Sequence, residues 1–568
     1  MHDVIIKGGS VVDGTGSEAF AADVGIVQGK IAEIAPSITA EARLVLDADG
    51  LVVCPGFIDL HTHYDAQLLW DPAASPSPLH GVTTILGGNC GFGIAPMSPS
   101  DVSYLQEMMA TVEGMPLAAL RGGPAWDWTS FGEWLDRLEG QVAVNAGFLV
   151  GHSTIRRMVM GDASTVRRAS DDEIASMVEL LRSSLAEGAV GFSSSKGPHH
   201  DAAGDPVPSR FAEDDEILAL CAVVSDFEGT TLEFIPGMGE ISPASAQLMA
   251  DMSLAGNRPL NWNLLGNLSP TPIYEQQLAA SDVASAQGAM VVALTLPDLM
   301  RLRSDQIFAS LPEWKEFMAR SVPERVVAGQ DPDVRRRLKM AAAAIAERGL
   351  GAAASWDLIE IASDEPADGR DQVGATVASL ARGSQVDPID IVIDALSQGL
   401  HLQLVFPSLE PDLGASDEGW RARAAVWLDE RALIGGSDAG AHLDVMCHAN
   451  YTTVVLGEAV RRRKVISLEE AIHQMTQRPA ELYGLRGRGI LSVGSAADVV
   501  VFDPETVDST PTSQRHDLPG GEPRLYAEAV GVDYVLVNGE VIVDHGSLSG
   551  RTPGTVLRSG VDTYSVTL

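Results

Sequence analysis

The segment GFIDLHTHYDAQ, residues 56–67, ends a short apolar run in His-x-His. In a strand, residues i and i+2 face the same side. His61 and His63 can therefore offer two imidazoles to one metal ion, and imidazole suits zinc, iron or nickel. The plainer alternative is that both rings only hydrogen-bond at a strand end. Cys90 follows the strand-like GVTTILGG, and Asp438 follows RALIGGS, so a thiol and a carboxylate also fall just past strand ends. His152 closes NAGFLVGH, and His199 and His200 lie in the polar loop after AVGFSSS, where they could bind substrate or act as general acid. None of the 13 histidines lies between His200 and His401, so that part of the chain supplies no imidazole. A metal held here would lower the pKa of water and polarise a carbonyl. A carboxylate beside it could move a proton to a leaving amine. GHST and GFSSS are not GxSxG elbows, which sets aside a serine hydrolase. No phosphate-cradling glycine motif stands in a persuasive context, which sets aside nucleotide chemistry.

These residues need strands to position them. The region from 56 to 484 alternates short Val/Ile/Leu-rich runs with helical stretches. Repeated alternation predicts a parallel α/β fold, and a distorted (β/α)8 TIM-type barrel fits the count. Loops at the C-terminal ends of its strands would then carry the chemistry. Ser170 with Glu173, and Ser467 with Glu470, stand at capping-box spacing before SDDEIASMVELLRSSLAEG and SLEEAIHQMTQRPAELYG, each predicted as one helix. Residues 1–55 and 485–568 read as β, with Asn538-Gly539 as a tight hairpin turn. We expect one small β-sandwich domain built from both termini. Residues 300–375 are charge-rich, hold two amphipathic helical segments, and read as an insertion near the barrel mouth.

Composition limits the partners. The 568 residues carry 39 basic and 77 acidic side chains, a net charge of −38. No basic patch for nucleic acid is evident, and the charge opposes binding to anionic membranes. Four cysteines are scattered without a CxxC pair, which fits a reducing compartment. No signal-peptide pattern and no membrane-length apolar stretch is seen, so a cytoplasmic location is expected.

Together, PGFIDLHTHYD, GNCGFG, GHSTIRRMVMG, GSDAGAH and GRGILSVGSAADVVVFDPETV resemble the amidohydrolase superfamily, in its N-acyl-D-amino-acid deacylase branch. The resemblance implies that His61 and His63 bind a metal from strand 1. It implies that Cys90 is a thiolate ligand from strand 2, and that Asp438 on strand 8 touches the metal and shuttles protons. His152 would polarise or orient substrate. Assembly into dimers or higher forms is implied too.

The chain departs from that branch in three places. Where strands 5 and 6 should each carry a histidine, it has Glu233 and the neighbourhood of Asn263. Glu233 is then a candidate oxygen ligand, and Asn263 a candidate substrate group. Lys196, after strand 4, is a further candidate for the site. Asn450, a candidate substrate-binding residue, stands where an arginine would clamp a substrate carboxylate, which counts against N-acyl-D-amino acids; Arg156 or Arg210 could substitute. The expectation is a hydrolase that cleaves a C–N amide bond of a small molecule with metal-activated water, using one zinc ion rather than two. The alternatives are an ester, lactone or cyclic-amide hydrolase on the same site, and a metal-depleted binding scaffold.

Overall fold

The structure is a computed structural model that describes residues 1–237, 239–265, 273–305, 308, 311–347, 355–363, 372–406 and 416–568. Parts of the predicted 300–375 insertion, at 306–307, 309–310, 348–354 and 364–371, lie outside the described residues.

The N-terminal part forms strands β1 (His2–Val11), β2 (Phe20–Val27), β3 (Lys30–Ala35), β4 (Ala42–Asp47) and β5 (Val52–Pro55). The chain then enters β6 (Phe57–Asp59), β7 (Val82–Gly87), β8 (Asn145–Gly151), β9 (Gly191–Ser195), β10 (Thr231–Ile235), β11 (Leu260–Trp262) and β12 (Val291–Thr295). Three further strands, β13 (Met300–Arg303), β14 (Ile359–Ala362) and β15 (His401–Phe406), pair antiparallel in the order β13-β15-β14. They cover helices around a separate apolar cluster that includes Trp314, Phe317, Val392 and Leu402. Strand β16 (Ala432–Ile434) returns to the first sheet.

Strands β6 to β12 and β16 form one curled eight-stranded sheet, parallel throughout, in the order β16-β12-β11-β10-β9-β8-β7-β6. Beyond the strand ends a parallel bridge between Thr62 and Ala439 joins its two edges. The expected barrel is thus present, with a short closure. Its strands are buried on both faces, which explains why they read as continuous apolar runs. Register places Leu86, Leu149, Ser193, Glu233 and Asn261 on one face. Leu86 and Leu149 join Ile58, Leu60, Val292, Leu294 and Leu433 in one apolar cluster. The other face, with Ile85, Val150, Phe192, Leu232 and Phe234, packs in the main core under the helices.

After the barrel come β17 (Val499–Phe502), β18 (Asp508–Ser509), β19 (Ser513–Arg515), β20 (Arg524–Tyr526), β21 (Ala529–Val530), β22 (Val532–Val537), β23 (Glu540–Asp544) and β24 (Ser547–Leu548). β17 pairs with β5 and β22, so both termini share one nine-stranded sheet around Ile6, Val24, Ile26, Val53, Val499 and Leu536. The β22–β23 hairpin turns at Asn538 and Gly539, both at positive φ, as the Asn-Gly pair predicts.

The Ser170–Glu173 capping box is formed and opens the helix Asp171–Ala186. The second predicted helix is instead two, Leu468–Met475 and Gln477–Tyr483, broken at Thr476. Pro479 has no N–H to carry the hydrogen-bond ladder through, so the chain restarts. Among the described residues no helix is long and apolar enough to cross a membrane.

Candidate metal centre

The His-x-His segment is pinned from both sides. Thr62, between the histidines, donates its N–H and its hydroxyl to Leu86 O of β7, at 3.0 and 2.8 Å. His63 N–H donates to Ala439 O at 2.7 Å, and Asp438 N–H donates to His61 O at 3.1 Å. The first and last barrel strands are thereby locked where their side chains meet. Cys90, Asp438 and His442 all have positive φ, at 59°, 56° and 50°. Such conformations cost non-glycine residues on the order of 1–3 kcal/mol each and cluster at functional sites.

His61 Nε2 and His63 Nε2 lie 3.2 and 3.7 Å from Cys90 Sγ. The same two nitrogens lie 3.3 and 3.1 Å from Asp438 Oδ1. Four N, S and O donors placed tetrahedrally about one zinc ion lie roughly 3.3–3.6 Å apart. The separations of the two imidazoles from Cys90 and from Asp438 are thus of the size that donors to a zinc ion show. His61, His63 and Cys90 are all buried, with donor atoms within 4.8 Å of one another.

Burial alone would hold His63 down, but the carboxylates of Glu113 and Asp438 outweigh it and raise it to about 10. Burial would raise Asp438, but hydrogen bonds and charge from His61 and His63 hold it well below its usual range. Burial, with Glu233 and Glu113 nearby, pushes the Cys90 thiol well up. Without metal, His63 and Cys90 therefore both keep their protons at neutral pH, and metal binding must displace them. Zinc uptake at pH 7 is expected to release about two protons, one each from His63 and Cys90, with affinity climbing as pH rises. Calorimetric titration in buffers of different ionisation enthalpy counts them, and release of none would contradict this donor set.

Glu233 corrects an expectation. It was a candidate ligand, yet its Oε2 accepts from Cys90 N–H at 2.9 Å and its Oε1 from the Asn263 amide at 2.9 Å. It faces His61 Nδ1, 3.9 Å away, rather than the Nε2 on which the other donors converge. It braces the Cys90 loop from behind, and burial pushes its carboxyl up to about 8. Asn263 also differs from its expected role as a substrate group. Its amide nitrogen lies 2.5 Å from His61 Nδ1, so it orients that ring. Asp59 accepts from His61 N–H at 3.3 Å and from Ser437 Oγ at 2.5 Å, tying β6 to the Asp438 loop.

Five further expectations fall away from the cluster. His152 uses Nδ1 on Ser194 Oγ at 2.8 Å and Nε2 on Glu216 Oε1 at 2.9 Å, leaving neither nitrogen for a substrate. Asn450 donates to Ser509 Oγ at 2.7 Å, because the chain turns it toward β18. His200 is exposed and lies beside Arg210. The Lys196 amine is bound to Ala212 O, away from the histidines. Arg156 is fully buried and gripped by Glu216, so it cannot serve as a substrate clamp.

His199 does approach the centre. Its ring packs edge-on against Phe92, at 5.4 Å, and feels the charges of His442, Asp438 and His63. Burial keeps it neutral, with its pKa down to about 4. One carboxylate that sequence reasoning missed also arrives here. Glu113, at the end of the helix Val102–Val112, places Oε2 3.5 Å from His63 Nε2. No motif spacing links it to His-x-His; an acidic residue before Gly114 in a barrel-mouth loop was its only mark.

A closed parallel barrel with N, S and O donors at its mouth is the architecture of a metal-dependent hydrolase. The family model described as the amidohydrolase family matches residues 44–543, and the chain belongs to that family. It is similar to D-aminoacylase of Alcaligenes xylosoxydans xylosoxydans, 28% identical over 568 residues, covering 98% of this chain and 97% of that one. A solved D-aminoacylase, described for the role of its binuclear metal centre, aligns with a TM-score of 0.63 and 25% identity. That alignment covers 98% of this chain and 100% of the other. The N-acyl-D-glutamate deacylase of Bordetella bronchiseptica, solved with zinc and a phosphonate inhibitor, shares the fold at a TM-score of 0.63 and 23% identity. It too is covered completely, by 98% of this chain. The chain is thus a D-aminoacylase-like amidohydrolase.

Proposed function

We propose that the protein hydrolyses a C–N amide bond, other than a peptide bond, in an N-acyl amino acid or related small amide. His61, His63 and Cys90 would hold one zinc ion, which Asp438 would touch, leaving room for water. The observation that carries this reading is the buried cluster of His61, His63 and Cys90, with Asp438 Oδ1 3.3 and 3.1 Å from the two Nε2 atoms. One ion is favoured over two because Glu233 and Asn263, at the strand-5 and strand-6 positions, are committed to each other and to Cys90 and His61.

When bound, zinc supplies a Lewis acid that acidifies water and polarises the carbonyl. Asp438 does the proton work. Its Oδ1 faces both imidazoles, while Oδ2 lies toward His442 Nε2 at 3.8 Å. It takes the proton of the attacking water and hands it to the leaving nitrogen. His199, neutral and beside the centre, is placed to hydrogen-bond the substrate. The four free cysteines fit a cytoplasmic enzyme. Its partner is a small-molecule substrate, not nucleic acid or membrane, and it assembles as a homo-oligomer.

The test is amine release from a panel of N-acyl-D- and N-acyl-L-amino acids and uncharged acyl amides, with zinc-loaded protein. Hydrolysis of at least one amide, lost in His61→Ala/His63→Ala, is expected. Turnover of esters or lactones alone would replace the amide reading. No turnover of any of these would leave a binding scaffold.

A further inference from the structure

We propose that Glu113 is a further ligand of the metal centre. This rests on the zinc reading above. The carboxylate lies 3.5 Å from His63 Nε2, the same nitrogen that faces Asp438 Oδ1 at 3.1 Å and Cys90 Sγ at 3.7 Å. Three oxygen and sulfur donors therefore surround one imidazole nitrogen.

Glu113 is only 3% exposed. Among the described residues its carboxylate receives no hydrogen bond and no lysine or arginine, and histidines are its only cationic neighbours. A buried carboxylate is costly unless paired. The neighbours of Glu113 are the imidazoles of His63, His442 and His61. Oxygen donors suit zinc, so an ion held beside His63 Nε2 would give this carboxylate the close partner it lacks.

The backbone is built to hold Glu113 there. Its carbonyl accepts from His442 N–H at 2.5 Å, fastening this loop to the loop that carries Asp438. Gly114 turns at φ +58°, and a Cβ there would meet His442 Cα at 3.0 Å, so the close approach needs glycine. Glu113 thus supplies, from a loop after a helix, a donor that strands 5 and 6 do not.

The experiment uses the full chain with Zn2+ and Co2+ as probes, in wild type, Glu113→Gln, Glu113→Asp and His61→Ala/His63→Ala. Chelator competition should show the zinc Kd of Glu113→Gln raised about tenfold or more. The visible d–d bands of the Co2+ protein should change in shape and intensity, and Glu113→Asp should restore them in part. An unchanged Co2+ spectrum overturns the proposal, even with weaker affinity, because Glu113 would then act only through His63. If Glu113→Gln fails to fold, the spectrum of Glu113→Asp decides on the same terms. Wild type that takes up no metal dependent on His61 and His63 would overturn the zinc reading itself, a separable outcome.

Discussion

Asp438→Asn is expected to slow amide hydrolysis by about 10²–10⁴-fold, the usual worth of a positioned acid–base group. Asparagine is the informative replacement for two reasons. Asp438 has φ 56°, a region that Asn tolerates almost as well as Asp and that Ala does not. The backbone bonds from Asp438 N to His61 O and from Ala441 N to Asp438 O should therefore survive. Asn also keeps a neutral oxygen where Oδ1 faces the imidazoles, so zinc content should fall far less than rate. What it loses is a carboxylate that can accept and return a proton. An amine must be protonated to leave, whereas a nitrophenolate need not be. The variant should accordingly retain much more of its rate on a 4-nitrophenyl ester than on the matching amide. Measuring kcat/KM on both, with zinc per chain in the same samples, checks this. Equal losses on both substrates, tracking lost zinc, would make Asp438 a ligand and nothing more.

The barrel was legible because its strands are buried on both faces and separated by helical stretches, a pattern few other folds produce. His61 and His63 were legible because strand period 2 puts them on one side. Cys90 and Asp438 were found through resemblance; spacing alone places them at strand ends without joining them. Glu233 lies in the fifth strand and Asn263 just past the end of the sixth, close to where the sequence puts them, but sequence does not tell which atom of His61 they face. They reach Nδ1, not Nε2, and that distinction separates a brace from a ligand. Asn450 was misjudged because a single Ser509 contact, 59 residues away, turns its side chain. Glu113 was invisible for the same kind of reason. Its place depends on a backbone bond to His442, more than 300 residues further along, which no local pattern reports.

His152 illustrates how a motif at a catalytic face can be structural, and its network predicts the largest stability effect. Arg156 donates to both oxygens of Glu216, at 2.7 and 2.5 Å, and to the carbonyls of Ser164 and Arg167 at 3.2 and 2.6 Å. His152 bridges from Glu216 to Ser194 on β9. The neighbouring Ser193 holds Gly91 N–H at 3.1 Å, so the same strand end steadies the Cys90 loop. Glu216→Gln would leave a buried guanidinium without its charge partner, at a cost of about 3–5 kcal/mol. The sign with pH follows from Glu216 itself. Burial would raise its carboxyl, but His152 and Arg156 outweigh that and hold it below its usual value. A lowered carboxyl contributes its stability above the unfolded value and loses it as pH falls through the folded one. The gap between wild type and variant should be full at pH 7, begin to shrink near the ordinary glutamate value, and close only as pH falls through the lower folded value. Adding Arg156→Met should recover much of the loss, since an apolar side chain needs no partner there. Urea unfolding of the single and double variants from pH 7 downward measures this. Zinc affinity of the folded Glu216→Gln protein should stay near wild type. A Glu216→Gln variant as stable as wild type would show that the network bears no load, and would return His152 to the substrate side of the site.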